Sequence, residues 1–182
     1  KNILEAAMKH EVKKMVYVSS VHAIPELPKG QVISEVSHFD KSLVYGMYSK
    51  TKAEATQAVL DAAVRGLNVT VVHPSGICGP HSHACNYATQ LVIDCWKGLL
   101  PMGVEGGYDF VDVRDVASGT ISSCHRGEKG ECYILANRYI TVKEIFSTFQ
   151  EITGKKLPRL MAPMWLAKAS LPLCSLYYKI KK

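Results

Sequence analysis

Tyr48 and Lys52 stand four residues apart in Tyr48-Ser49-Lys50-Thr51-Lys52, a separation that puts two side chains on one face of a helix. A free phenol titrates at about pH 10 and works poorly as an acid or base near neutrality unless a neighbouring cation stabilises the phenolate. An ammonium one turn away is such a cation, so the pair could exchange a proton with a substrate oxygen. Only one register exists, because Lys50 points elsewhere and Tyr45 has Ser49 four residues on. Taken alone the pattern is weak, since surface helices produce it by chance. Ser19-Ser20 adds context. The pair closes the apolar run Met15-Val16-Tyr17-Val18, and the C-terminal end of a buried strand is where open α/β sheets place ligands. A hydroxyl there could hold a carbonyl or alcohol oxygen while the tyrosine moves the proton. A serine pair is also an ordinary strand terminator. Strand-end serine followed 28 residues later by Tyr-x-x-x-Lys is much rarer than either part.

The elements that must carry these residues can be read from the pattern. Ile3, Leu4, Ala7 and Met8 give a helical stripe over residues 2–10, and Met15–Val18 reads as a buried parallel strand. Residues 22–44, with two prolines and a glycine, read as loop. A helix rich in Ala, Glu, Lys and Gln is expected from Tyr48 to Arg65, closed by Gly66. Val69–His73 reads as a second buried strand, stopped by Pro74, and Ser75–Cys85 as a glycine- and proline-punctuated loop. A helix is expected over 87–98, ending at Gly98, then a short strand or extended turn at Asp109–Val113. Asp115 suits the N-cap of a helix running to about Cys124. Cys132–Leu135 is a further strand after the Gly127–Gly130 turn. Thr141-Val142-Lys143-Glu144 opens a helix as a capping box, Gly154 ends it, and 163–178 form a last helix broken near Pro172. Strands alternating with helices argue an α/β fold with a parallel sheet.

Composition excludes several classes. The chain has 182 residues, 47% hydrophobic and 21% charged, an ordinary globular balance. Its net charge of +6 comes from scattered lysines and arginines without a stripe, so no nucleic-acid partner is expected. No apolar run approaches the roughly 18 residues of a membrane span. Cys78, Cys85, Cys95, Cys124, Cys132 and Cys174 form no Cys-x-x-Cys pair and read as reduced thiols of a cytoplasmic protein. Lys1-Asn2-Ile3-Leu4-Glu5 opens directly as a helix without a secretory leader, and both ends read as cut.

Two further groupings compete for attention. Cys78, His81, His83 and Cys85 put four zinc-compatible donors within eight residues, but structural zinc sites space ligands in two separated pairs. A polar loop without metal is the preferred reading. Met161, Met164, Trp165, Leu166, Leu171 and Leu173, followed by Lys179 and Lys181, could form an interfacial membrane helix; a packed or substrate-lining helix is preferred.

Val16-Tyr17-Val18-Ser19-Ser20 followed by Tyr48-x-x-x-Lys52-Ala53-Glu54 resembles the extended short-chain dehydrogenase/reductases, the NAD-dependent epimerase/dehydratase family. His73-Pro74-Ser75-Gly76-Ile77-Cys78-Gly79-Pro80 is similar to that family's strand-to-loop segment beside the nicotinamide. Asp109-Phe110-Val111-Asp112-Val113-Arg114-Asp115-Val116-Ala117 resembles a later family block, and Gly130–Leu135 and Thr141–Glu144 continue it. The resemblance implies a Rossmann-type parallel sheet with a small, mostly helical substrate lobe. It implies Ser20 orienting the reacting oxygen, Tyr48 as general acid/base, and Lys52 stabilising the phenolate and holding the nicotinamide ribose. Ser19, Tyr48, Lys52, Pro74, Ser75 and Ile77 would contact NAD or NADP, with the hydride chemistry supplied by the cofactor. The catalytic and cofactor part would comprise 1–80 and 108–136, and the substrate lobe 81–107 and 137–182. The first strand and its Gly-x-x-Gly-x-x-Gly turn, which cradle the pyrophosphate, are absent. The resemblance is therefore to the C-terminal part of the family, with weak cofactor binding expected and NAD against NADP left open. Expected partners are a small-molecule substrate, no nucleic acid and no membrane, with a homodimer left open. A reductase of a fairly apolar substrate is favoured by the Leu, Met, Trp and Pro content of 157–176. The alternatives are a nucleotide-sugar epimerase or dehydratase, for which Arg114, Arg126, Arg138 and Arg159 could meet a diphosphate, and a non-catalytic binding member of the fold.

Overall fold

The computed structural model describes residues 2–28, 30–81, 87–100, 102–158, 160–166 and 169–170. Its elements, in chain order, begin with α1 (Asn2–Lys9), β1 (Met15–Val18), α2 (Met47–Val64), β2 (Val69–Pro74), β3 (Gly76–Cys78) and α3 (Tyr87–Lys97). There follow β4 (Gly103–Val104), β5 (Gly107–Asp112), α4 (Val113–Arg126), β6 (Cys132–Leu135), β7 (Arg138–Thr141), α5 (Val142–Thr153) and β8 (Met161–Ala162). They divide into two compact units, Lys1–Gly79 with Phe110–Asn137, and Pro80–Asp109 with Arg138–Lys182.

The first unit is organised by a parallel sheet in the order β1–β2–β6, with Val16 opposite Thr70 and Val72 opposite Tyr133. Every residue of β2 is buried. That is why its sequence reads as a continuous run rather than an alternation: a central parallel strand is covered on both faces. Helix α2 contributes Ala53, Thr56, Val59, Leu60 and Ala63 to the core, the spacing of one helical face. Leu4 and Ala7 of α1 and Ile24, Phe39 and Val44 of the intervening loop join the same cluster. Lys14 ties three segments together, its Nζ donating to Asn68 Oδ1, Thr70 Oγ1 and the Gly127 carbonyl.

The strands and helices expected from sequence up to Gly154 are present with small shifts at their ends; the short strands β4, β7 and β8 were not expected, and in the first unit a helix cap and a loop differ. The N-cap of α4 is Asp112 rather than Asp115. The backbone is still extended at Asp112, whose carboxylate accepts the Arg114 N–H at 2.8 Å, and Asp115 lies inside the first turn. The loop expected after Pro74 holds the short strand β3, parallel to the end of β5 with Ile77 opposite Val111.

The second unit gathers Cys95, Phe146 and Leu157 into a small core flanked by Leu91, Leu100, Ile145, Phe149 and Met161. Short strands accompany its helices, β4 pairing in parallel with β8. Helix α5 starts at the expected Thr141–Glu144 capping box and ends at Gly154, whose φ of 69° is the left-handed cap that glycine adopts without strain. Most of the helix expected over 163–178 lies outside the described residues. Among the described residues no helix is long and apolar enough to cross a membrane.

Candidate active site

The site is built where β1 ends. Ser20 caps a short 3-10 turn, Val21–Ala23, in extended conformation. Its carbonyl accepts the Ala23 N–H at 3.0 Å, and its Oγ accepts the His22 N–H at 3.3 Å. With a lone pair so occupied, the Ser20 O–H is left to donate to a substrate oxygen. Ser19 behaves differently. Its hydroxyl lies 2.6 Å from Thr56 Oγ1 in the core. Because Thr56 gives its single proton to the Lys52 carbonyl, Ser19 is the donor. Its side chain is thus engaged with α2, and any cofactor contact falls to its backbone.

Helix α2 packs against the 21–23 turn and brings Tyr48 and Lys52 with it. Its N-cap is Gly46 at φ 85°, a conformation other residues adopt only with strain. That turn starts the helix where Tyr48 falls in the first turn, 58% exposed, with the His22 ring edge-on at 6.0 Å. Lys52 lies one turn further in. Its Nζ donates to the Val18 and Ser19 carbonyls at 3.2 and 3.5 Å and sits 5.9 Å from the centre of the Tyr48 ring. The Tyr17 ring lies 5.8 Å from the same ammonium, within cation–π range. Burial, and secondarily the neighbouring Tyr48 phenol, push the Tyr17 phenol upward from its ordinary pKa, so Tyr17 stays a neutral wall of the ammonium pocket.

The end of β2 supplies the other side. Pro74 is buried within the strand and Ile77 is exposed on β3. Ser75 donates its backbone N–H to the Leu135 carbonyl at 3.0 Å, yet its Oγ is buried without a hydrogen-bond partner. A buried unmet hydroxyl costs about 1–3 kcal/mol and calls for an absent partner. This orphan hydroxyl, together with a lysine whose described bonds run to two carbonyls, fits a polar cofactor such as nicotinamide riboside at this strand end.

Of the residues expected from sequence, Lys52 faces Tyr48 and bonds the Ser19 carbonyl that precedes Ser20; Thr56, Tyr17 and His73 were not among the expected site residues. His73 left a signal: it is the one titratable residue in the run Val69–Pro74. Of the four zinc-compatible donors, His83 and Cys85 lie outside the described residues. Cys78 offers its thiol to the Val111 carbonyl at 3.7 Å, and burial raises its pKa, which disfavours the thiolate that zinc takes.

Comparison with known proteins follows the same order of residues. A sequence profile described as the NAD dependent epimerase/dehydratase family matches residues 1–136. The chain is 32% identical over 170 residues to a protein of Synechocystis sp. provisionally named dihydroflavonol 4-reductase, covering 91% of this chain and 50% of that one. It is 31% identical over 163 residues to sterol demethylase protein B of Methylococcus capsulatus, covering 88% and 49%. The crystal structure of gox2253 superposes with a TM-score of 0.85 at 32% identity, over 99% of this chain and 55% of that one. The chain spans about half the length of the relatives it matches.

Proposed function

The chain belongs to the NAD-dependent epimerase/dehydratase family, and from that premise we propose that it carries the proton-transfer half of an NAD(P)-dependent reductase of small, fairly apolar carbonyl compounds. The observation that carries the reading is the placement of Lys52 Nζ. It is held by the Val18 and Ser19 carbonyls and faces the Tyr48 ring, in the turn after the strand that ends in Ser20.

In this reading the Ser20 O–H donates to the substrate oxygen and fixes its position. Tyr48 gives that oxygen its proton during reduction and takes it back in the reverse direction. Lys52, held in place by its two carbonyl contacts, favours the phenolate that remains and offers its third N–H to the ribose. Bound NAD(P) supplies or accepts the hydride. Ser75 Oγ and the backbone around Pro74 and Ile77 receive the nicotinamide end. The cofactor part is proposed to comprise 1–80 and 108–136, and the substrate lobe 81–107 and 137–182.

A net reduction is favoured over sugar-nucleotide epimerisation by the exposed apolar side chains of the second unit and by the engagement of two of the four candidate arginines. Arg114 is held by Asp112 through contacts of 2.9 and 2.6 Å, and Arg126 by Ser122. Both guanidinium groups are thus already engaged by α4 and its N-cap; Arg138 is exposed on β7, and Arg159 lies outside the described residues. The second unit exposes Trp96, Met164, Trp165 and Leu166. The test is oxidation of NADH or NADPH with a panel of apolar aldehydes and ketones, in this chain and in a form extended N-terminally to the relatives' length. Tyr48→Phe should lower kcat by about 10²–10⁴-fold with a much smaller effect on cofactor affinity, and Lys52→Ala should weaken the cofactor. Full activity in Tyr48→Phe would remove Tyr48 from the chemistry. Sugar-nucleotide interconversion without net NADH use would establish the epimerase.

A further inference from the structure

His73 is a polar residue where the sheet has no use for one. It lies in the central strand β2, is 0% exposed, and is the largest fully buried side chain described. Its ring stacks on Phe39 with centres 5.2 Å apart and planes 10° from parallel. Its Nδ1 lies 3.0 Å from the Ser20 carbonyl, while Nε2 is buried without a partner. A carbonyl can only accept, so Nδ1 carries the proton. A neutral imidazole has one N–H, so Nε2 is a bare acceptor. Burial first, and more weakly the Lys52 charge, lower its proton affinity against the opposing Ser20 hydrogen bond and Glu35 charge.

This bond completes a series. The carbonyls of Val18, Ser19 and Ser20 each receive a side-chain donor, the first two from Lys52 and the third from His73. The Ser20 peptide is therefore fixed from the turn by Ala23 N–H and across the sheet by the imidazole.

We propose that His73 is a positioning residue: as its Nδ1–H tautomer it holds the Ser20 carbonyl and so fixes the direction in which the Ser20 hydroxyl meets the reacting oxygen. The inference rests on the reading of Ser20 as an active-site hydroxyl. A histidine that merely filled the core would be replaced best by phenylalanine, which keeps volume and the stack on Phe39. A positioning histidine is replaced best by asparagine, whose amide N–H can occupy the place of Nδ1–H.

The experiment compares the parent with His73→Asn and His73→Phe, each first shown to be folded by circular dichroism. Imidazole nitrogen NMR of the parent should show the Nδ1–H tautomer near neutral pH, with its titration displaced below the ordinary histidine range by burial. Amide exchange at His22 and Ala23 should quicken in His73→Phe and stay slow in His73→Asn. In the active protein, His73→Phe should lower kcat by about ten- to a hundredfold, the scale of a small misplacement of a reacting group, with cofactor affinity unchanged and His73→Asn recovering most of the rate. An Nε2–H tautomer, a ring that titrates at or above the ordinary histidine value, or His22 and Ala23 amides that respond alike to both substitutions would overturn the proposal. Absence of turnover in the parent would count against the reductase reading alone, because tautomer and amide exchange decide the role of His73 without it.

Discussion

The two units bury their apolar surface in unlike ways. In the first, α1, β1, the 24–44 loop, α2, β2 and β6 all send residues to one cluster, and β2 is buried along its whole length. In the second, the described cluster comes down to Cys95, Phe146 and Leu157, while Trp96, Leu99, Met102, Leu160, Met164, Trp165 and Leu166 stay exposed. Apolar burial stabilises by about 25 cal/mol per Å², so among the described residues the larger hydrophobic contribution falls to the first unit. The difference matches the proposed division of labour. The proposed proton transfer would need Ser20, Tyr48 and Lys52 fixed within a fraction of an ångström, which elements anchored in a closed core provide. Recognition of an apolar substrate tolerates a surface that can adapt, and exposed aromatic and methionine side chains are suited to that.

The sharpest way to break this comparison is to remove the centre of the smaller core. Phe146→Ala should cost about 3–5 kcal/mol, which is comparable to the whole stability of a marginal unit. Hydrogen exchange should then show α3 and α5 losing protection while β2 amides keep theirs. Equal loss in β2 would mean that the two units do not hold their stability separately.

A second test uses pH and acts on the first unit alone. His73 has its folded pKa lowered from the ordinary value of 6.5, chiefly by burial. A buried neutral histidine takes up a proton on unfolding, so its contribution is intact above about pH 6.5 and is lost as pH falls below it. The expected loss is up to about 1.4 kcal/mol per pH unit, read by urea unfolding between about pH 7.5 and 5. The carboxylates with lowered pKa act elsewhere: Asp112, brought to about 2 by its bonds to Arg114, and Asp40 and Glu144 lose their contributions only as pH falls below the ordinary carboxylate range. His73→Phe should therefore flatten the curve in the upper window and leave the acid limb in place.

How much of this was legible in the sequence follows the same division. β1, β2 and β6 could be read because each is a short, mostly apolar run, and α2 because its Ala and Glu content and Gly66 stop are local signals; β3, three residues within a glycine- and proline-punctuated loop, could not. Ser20, Tyr48 and Lys52 could be read because order and spacing along the chain carry them. The partners of those residues could not, since Thr56 meets Ser19 across 37 positions and His73 meets Ser20 across 53. The Asp112 cap was missed because Asp112 and Asp115 are both good caps, and only the extent of β5 decides between them. In the second unit the two-residue strands β4 and β8 are too short to leave a period of their own.

The smallest effect tests the thin core most finely. Thr141 caps α5, its Oγ1 accepting the Glu144 N–H at 3.1 Å while Glu144 reaches back to the Thr141 N–H at 2.7 Å. Thr141→Ala should cost about 1 kcal/mol. In a unit with an extensive core such a loss is spread over a cooperative whole and changes local exchange little. Here α5 supplies Phe146, the largest of the three residues of the core, so fraying its first turn should loosen the cluster. Amides of α5 should exchange about fivefold faster, the factor that 1 kcal/mol implies at room temperature, and those of β2 should not change. A response confined to the first turn of α5, with the Phe146 amide unmoved, would mean that the second unit is held by more than its described core.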